Sequence, residues 1–298
     1  MSIMNRPSDG LLSTLLALWR GLCAYGPRSE EELLRLVVPA TVVSGRQDLA
    51  AKTLSRWKQL GIFVERDGDI HLSEAIAAID PDKLDACRAA VLRLVLLPSN
   101  NPEFDGDGDS SLEKSKASDC TRAMAWALAQ DPYSFPSKYK DGAETLQDDQ
   151  GVSPRPFVND TRWAGFLEWA TFLGAGFRTR VGFVPVPWFA VQTTLATVFG
   201  EARVLAQMEF FERLAESLPI VDGGSFRLQI ASQTARPWRA ESGADISPSL
   251  SAAVLTLEAS GVLRLQERSD APQRMLLGAG GRLLHRVSHI ERLEAARD

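Results

Sequence analysis

Apolar residues recur at helical spacing from the start of the chain. Ser8 or Asp9 can cap a helix opening near Leu11, and Leu11, Leu12, Leu15, Leu16, Leu18, Trp19 and Leu22 then keep to one stripe. Gly26-Pro27 ends it. Ser29, with Glu32 three positions on, forms a capping box for a second helix through Leu33, Leu34 and Val37 to Pro39. A third helix is predicted from about Asp48 to Leu60, closed by Gly61. The period then changes. Ile62 to Leu72 reads as two strands joined by Asp67-Gly68, a pair suited to a tight hairpin turn. Three helices followed at once by a hairpin is the winged-helix order.

Beyond the hairpin, Ser73 to Ile79 reads as a short helix and a longer one follows Pro81 through Leu84, Val91, Leu94 and Leu97. The glycines, asparagines and aspartates between Pro98 and Ser118 break the pattern and predict a loop or linker. Ala117 to Ala129 is again helical, and Asp131 to Pro156 reads as a long irregular connection. Thr161 to Leu173 is an amphipathic helix, Gly176 to Val184 a strand, Pro187 to Phe199 and Arg203 to Leu218 helices, and Phe226 to Ile230 a short strand.

The last segment repeats the first pattern. Ser249 to Ser260 is helical, Gly261 stops it, Val262 to Gln266 and Arg274 to Leu277 read as outgoing and return strands, and Gly280 to Ala296 as a final helix. Aligning the helix-ending glycines pairs Leu54 with Val254, Trp57 with Leu257 and Ile62 with Val262, a loose internal repeat. The expected fold class is mainly α with small β-wings: an N-terminal winged helix, a helical middle, and a second, divergent winged helix at the C-terminus. The expected domains are 1–98, an acidic, irregular linker with one helix over 99–158, and a helical domain over 159–298.

Composition narrows the function classes. The 298 residues are 45% hydrophobic and 24% charged, ordinary for a globular protein, and the formal net charge is −5. A protein that coats nucleic acid by charge alone is basic, so any contact with double-stranded DNA needs a local basic patch. Cys23, Cys87 and Cys120 form no Cys-x-x-Cys pair, which argues against a disulfide scaffold and a zinc site. Cys23 and Cys87, among apolar helical positions, are expected to be buried. The first ten residues carry no apolar signal core, and no apolar run reaches the roughly 20 residues of a membrane helix. A cytoplasmic protein with no membrane contact is expected.

The predicted third helix holds the main candidate site. Leu49, Ala50, Thr53, Leu54, Trp57 and Leu60 share its apolar side, while Asp48, Lys52, Ser55 and Gln59 lie opposite, flanked by Arg56 and Lys58. Arg46 precedes the helix and Arg66 sits in the wing. Lysine and arginine can pair with phosphates, and Ser55, Arg56 and Gln59 can read base edges. The same residues also suit an ordinary solvated helix face. The equivalent helix near the C-terminus, with Ser249, Ser251, Thr256, Glu258 and Ser260, has no lysine or arginine, although Arg264, Arg268, Arg274, Arg282 and Arg286 lie nearby.

Other chemistry is sparse. Asp105, Asp107 and Asp109 alternate as in a calcium loop, but Ser110 and Lys116 stand where glycine and glutamate are required, so a solvated acidic linker is expected. His285 and His289 can share a helix face, yet Arg286 stands where a zinc protease needs glutamate. Gly278-Ala279-Gly280-Gly281 can hold an anion at a helix N-terminus or serve as a plain turn. The motifs of hydrolases, nucleotide-binding loops and dinucleotide folds are missing, so neither a cofactor nor a catalytic metal is expected. Trp163 and Trp169 read as core. Trp188 and Trp238, beside prolines, are candidate partner anchors.

The opening Asn5-Arg6-Pro7-Ser8-Asp9-Gly10-Leu11, leading into a helix and then the winged helix, resembles the bacterial DpdG family, as does the chain length. That resemblance implies a place in the gene clusters that insert 7-deazaguanine derivatives into DNA and restrict unmodified DNA, a form of phage defence. It supplies no catalytic residues. It implies a non-enzymatic accessory subunit that works beside other proteins of a DNA modification or restriction system and engages DNA or a DNA-bound partner. The competing readings are an assembly adaptor without DNA contact and a winged-helix transcription regulator, which requires a symmetric dimer.

Overall fold

The computed structural model describes residues 3–4, 11–39, 46–102, 104, 116–236 and 245–293, without the side chains of residues 46 and 47. Two compact units emerge: Met1–Thr121 with Val158–Leu173, and Arg122–Phe157 with Gly174–Asp298. The section expected as a linker, 99–158, is thus divided between them.

In the first unit, α1 (Leu12–Tyr25) ends at Gly26, whose φ of 75° suits glycine. The short strand β1 (Arg28–Ser29) leads to α2 (Glu30–Val37), whose Glu32 amide donates to the Ser29 hydroxyl at 3.4 Å. Next come α3 (Arg46–Gln59) and the hairpin β2 (Phe63–Arg66) and β3 (Asp69–Leu72). Asp67 and Gly68 both take positive φ, 54° and 86°, as a two-residue primed turn requires. β1 adds to β3 through Arg28↔Ile70, giving a three-stranded sheet in the order β1-β3-β2. Leu15, Leu18, Trp19, Leu33, Leu54, Trp57, Ile62 and Ile70 are buried between these elements. The helices α4 (Glu74–Ala77) and α5 (Leu84–Val95) follow.

Later in the chain lie α6 (Ser118–Ala129), α7 (Glu144–Gln150) and α8 (Asp160–Leu173). Of these, α8 belongs to the first unit. Its Trp169 ring lies 5.2 Å from that of Trp57. Buried Met4 also packs there: a Cβ added to Gly165 would stand 1.9 Å from the Met4 carbonyl oxygen.

The second unit holds the hairpin β4 (Phe177–Arg178) and β5 (Phe183–Val184), then α9 (Trp188–Phe199), β6 (Val204–Ala206), α10 (Gln207–Ser217) and α11 (Ser225–Ser232). After these come β7 (Asp245–Ile246), α12 (Pro248–Ala259), β8 (Leu263–Gln266), β9 (Arg274–Leu277), β10 (Leu283–Val287) and β11 (His289–Arg292). Two small sheets form, in the orders β6-β11-β8 and β10-β9-β7. All their pairings are antiparallel except β7 with β9.

The final helix predicted over 280–296 is instead β10 and β11. Its apolar positions satisfy both periods, and the backbone partners on β8 and β9 decide for strands. Consequently β8 and β9 are not an outgoing and return pair, for they lie in different sheets. The strand expected at Phe226 to Ile230 is helical, with Phe226, Arg227 and Ile230 on the buried face of α11. The connection expected to be irregular over 131–156 contains α7, ordered by buried glutamines. Trp126 Nε1 donates to Gln150 Oε1 at 2.8 Å, Gln150 Nε2 to Gln130 Oε1 at 2.7 Å, and Gln130 Nε2 to the Trp126 carbonyl at 2.9 Å, a closed ring of bonds. Gln147 Oε1 accepts from the Phe157 amide at 2.8 Å. Buried amides satisfied this fully specify one packing. The single strand expected over 176–184 is the hairpin β4–β5, and the helix expected from Arg203 starts at Gln207, after β6.

Candidate nucleic-acid interface

The face proposed from sequence is the outer side of α3 with the adjoining hairpin. Its inner side is as the spacing requires, with Ala50, Thr53, Leu54, Trp57 and Leu60 all buried. Lys52, Ser55 and Gln59 are exposed. Lys52 Nζ pairs with Asp48 one turn back at 2.7 Å. Lys58 lies between Glu65 of β2, at 2.5 Å, and Glu30 of α2, at 3.8 Å. Arg66 reaches Glu74 at 3.1 Å. These lysines and Arg66 therefore already face carboxylates of their own chain. Arg46 begins α3, and its side chain lies outside the described residues.

Arg56 departs from expectation. It is 2% exposed, not a surface contact for phosphate. Thr53, Arg56 and Leu60, spaced three and four apart, fall along one line of the helix, so Arg56 sits at the edge of the buried stripe. Its Nη1 donates to Gln59 Oε1 at 3.2 Å, and its charge acts on buried Asp119. Asp119 also takes Arg162 Nη1 at 2.9 Å and the Cys120 amide at 2.8 Å. Burial pushes the Asp119 carboxyl up to about 6 against the lowering effect of Arg162, the Cys120 amide and Arg56. Spacing placed Arg56 beside the outward face, and nothing near it in the sequence pointed to Asp119 or Arg162.

A family model described as DpdG-like matches residues 1–271. The chain belongs to the DpdG-like family. No curated protein and no solved structure matches it. Membership ties this DpdG-like chain to the Dpd DNA-modification cluster.

Trp188 is half-buried and meets Phe189 edge-on at 5.9 Å, while Trp238 lies outside the described residues. Asp105, Asp107 and Asp109, and residues 5–10 of the opening motif, also lie outside them. His285 and His289 stand on separate strands, β10 and β11, rather than on one helix face. Among the described residues no cluster of three or more histidine, cysteine, aspartate or glutamate side chains is placed to hold a metal ion. Cys23 is exposed, contrary to expectation, because it lies off the stripe of Leu15, Leu18, Trp19 and Leu22; Cys87 and Cys120 are buried. Desolvation raises all three thiols, away from the reactive thiolate.

Residues 278–281 do not open a helix; they turn into β10. The Gly280 amide donates to Asp131 Oδ2 at 2.8 Å, so that anion-holding amide already serves a carboxylate of this chain. Both residues line a cavity of about 410 Å³ in the second unit, together with Gln130, Phe135, Arg227, Asp245 and Leu277. Arg227 is 1% exposed there and donates to the Ala125 carbonyl at 3.3 Å. No helix of the described residues is long and apolar enough to cross a membrane.

Proposed function

We propose that this chain is a non-enzymatic subunit of the Dpd system that uses its first unit to dock on another protein of that system, in the cytoplasm. One observation carries the reading. The face expected to meet DNA has its described cations matched by carboxylates: Lys52 with Asp48, Lys58 with Glu65 and Glu30, and Arg66 with Glu74. These pairs are individually weak, but they set four carboxylates beside three cations, so the described part of the face offers a phosphate backbone no net positive charge, and Asp48, Glu65 and Glu74 repel it. A mosaic of both signs suits a protein surface of complementary pattern. The helices α1 to α3 with the sheet β1-β3-β2 follow the winged-helix order, and we read the unit as a winged helix adapted to protein docking.

The test is affinity purification of the full tagged chain from its native host, with and without nuclease. Proteins of the Dpd cluster should co-purify equally in both. The charge reversal Lys52→Glu, at a site 45% exposed, should weaken that co-purification without altering the fold. Partner recovery that disappears with nuclease would return the first unit to a DNA-contacting role.

A further inference from the structure

The basic chemistry missing from α3 occurs in the second unit. The hairpin β4–β5 reads Phe177-Arg178-Thr179-Arg180-Val181-Gly182-Phe183, and Arg178 and Arg180 are exposed with no ion pair or side-chain hydrogen bond among the described residues. Val181 is 84% exposed and Phe177 40%. Exposed apolar and uncompensated cationic side chains thus meet on one short hairpin.

The local geometry holds these groups outward. Strand register pairs Phe177 with Val184 and Arg178 with Phe183. The Thr179 amide donates to the Gly182 carbonyl at 2.7 Å, the Thr179 hydroxyl to the same oxygen at 3.0 Å, and the Val181 amide to the Thr179 hydroxyl at 3.3 Å. Arg180 and Val181 therefore form the tip of a cross-braced turn. Its base is fixed by Phe183, buried with its ring 6.0 Å from that of Phe135. A Cβ at Gly176 would stand 2.4 Å from the Phe183 ring, and one at Gly182 would stand 3.0 Å from Ser137 Cβ. That second approach brings exposed Ser137 beside the tip; Lys138 follows it in the chain, exposed and 3.8 Å from Asp141.

We propose that this hairpin is a contact site for double-stranded DNA. A two-stranded ribbon fits a groove of the duplex. Arginines in the minor groove, with an apolar side chain beside the base steps, are a known means of ribbon and arm recognition. Arg178 and Arg180 supply guanidinium forks with no carboxylate partner among the described residues, and Val181 supplies the apolar tip. The site lies in a chain of net charge −5, so binding is local rather than a coat.

The test is fluorescence anisotropy of a labelled duplex titrated with the full chain over a range of salt. The double variant Arg178→Ala/Arg180→Ala should bind at least about tenfold more weakly, and the slope of log affinity against log salt should shrink by about two. The double Arg→Lys variant should keep the slope. Co-purification of Dpd proteins should survive the arginine changes, which separates this proposal from docking by the first unit. Unchanged circular dichroism and thermal unfolding would establish that both variants fold. Equal affinity and slope in the wild type and the double alanine variant would overturn the proposal. So would hairpin-dependent binding to vesicles of acidic phospholipid with none to the duplex.

Discussion

Arg56, Asp119 and Arg162 place charge beneath the surface of the first unit, and two predictions belong to them. Removing one member of a buried, hydrogen-bonded charge group leaves the others uncompensated. Arg56→Ala should therefore cost roughly 3–5 kcal/mol. Lys52→Ala, which breaks only an exposed pair one helical turn apart, should cost less than about 1 kcal/mol. Urea unfolding of both variants measures the contrast, and equal costs would place Arg56 at the surface after all. The second prediction concerns pH. With the Asp119 carboxyl held up near 6, the folded chain keeps a proton between about pH 4 and pH 6 that the unfolded chain has released. Stability from this residue is greatest below that window and falls as pH rises through it, by about 3 kcal/mol in all. The difference in unfolding free energy between the wild type and Asp119→Asn should change across pH 4 to 6 and be flat above. Parallel profiles would exclude the shift.

At the scale of elements, what was legible in the sequence follows from how local each signal is. Gly26, the Ser29 capping box, Gly61 and the Asp67-Gly68 turn are punctuation that acts on neighbouring backbone, and α1, α2, α3 and the β2–β3 hairpin are where they predict. The C-terminal strands β10 and β11 were not legible. Leu283, Leu284, Val287 and Ile290 suit either period, and the partners that decide for strands come from β8 and β9 far back in the chain. The order within 131–157 was hidden for the same reason, because polar Gln130, Gln147 and Gln150 read as loop until their buried partners are placed. The candidate face was half legible. Spacing located its outward residues, but not the carboxylates of β2 and α2 that neutralise Lys58. One element can be tested directly. Gly165→Ala drives a methyl into the Met4 carbonyl and should release the Met4 contact from α8 at a cost of about 1–3 kcal/mol. Faster proteolysis at the N-terminus with α8 intact is the expected readout; an unchanged rate would mean that the contact is dispensable.

At the scale of the molecule, the chain is a DpdG-like protein of two compact units, each with its own surface chemistry. The first offers a charge-balanced face on α3 and the β2–β3 hairpin. The second offers Arg178 and Arg180 with no carboxylate partner among the described residues. The docking proposed for the first and the DNA contact proposed for the second would use separate surfaces. The most direct test is amine labelling of Lys52, quantified by mass spectrometry, on the chain alone, with duplex DNA, and in its nuclease-treated native complex. Lys52 is expected to stay reactive with DNA and to become shielded in the complex. Shielding by DNA alone, with full reactivity in the complex, would contradict that expectation.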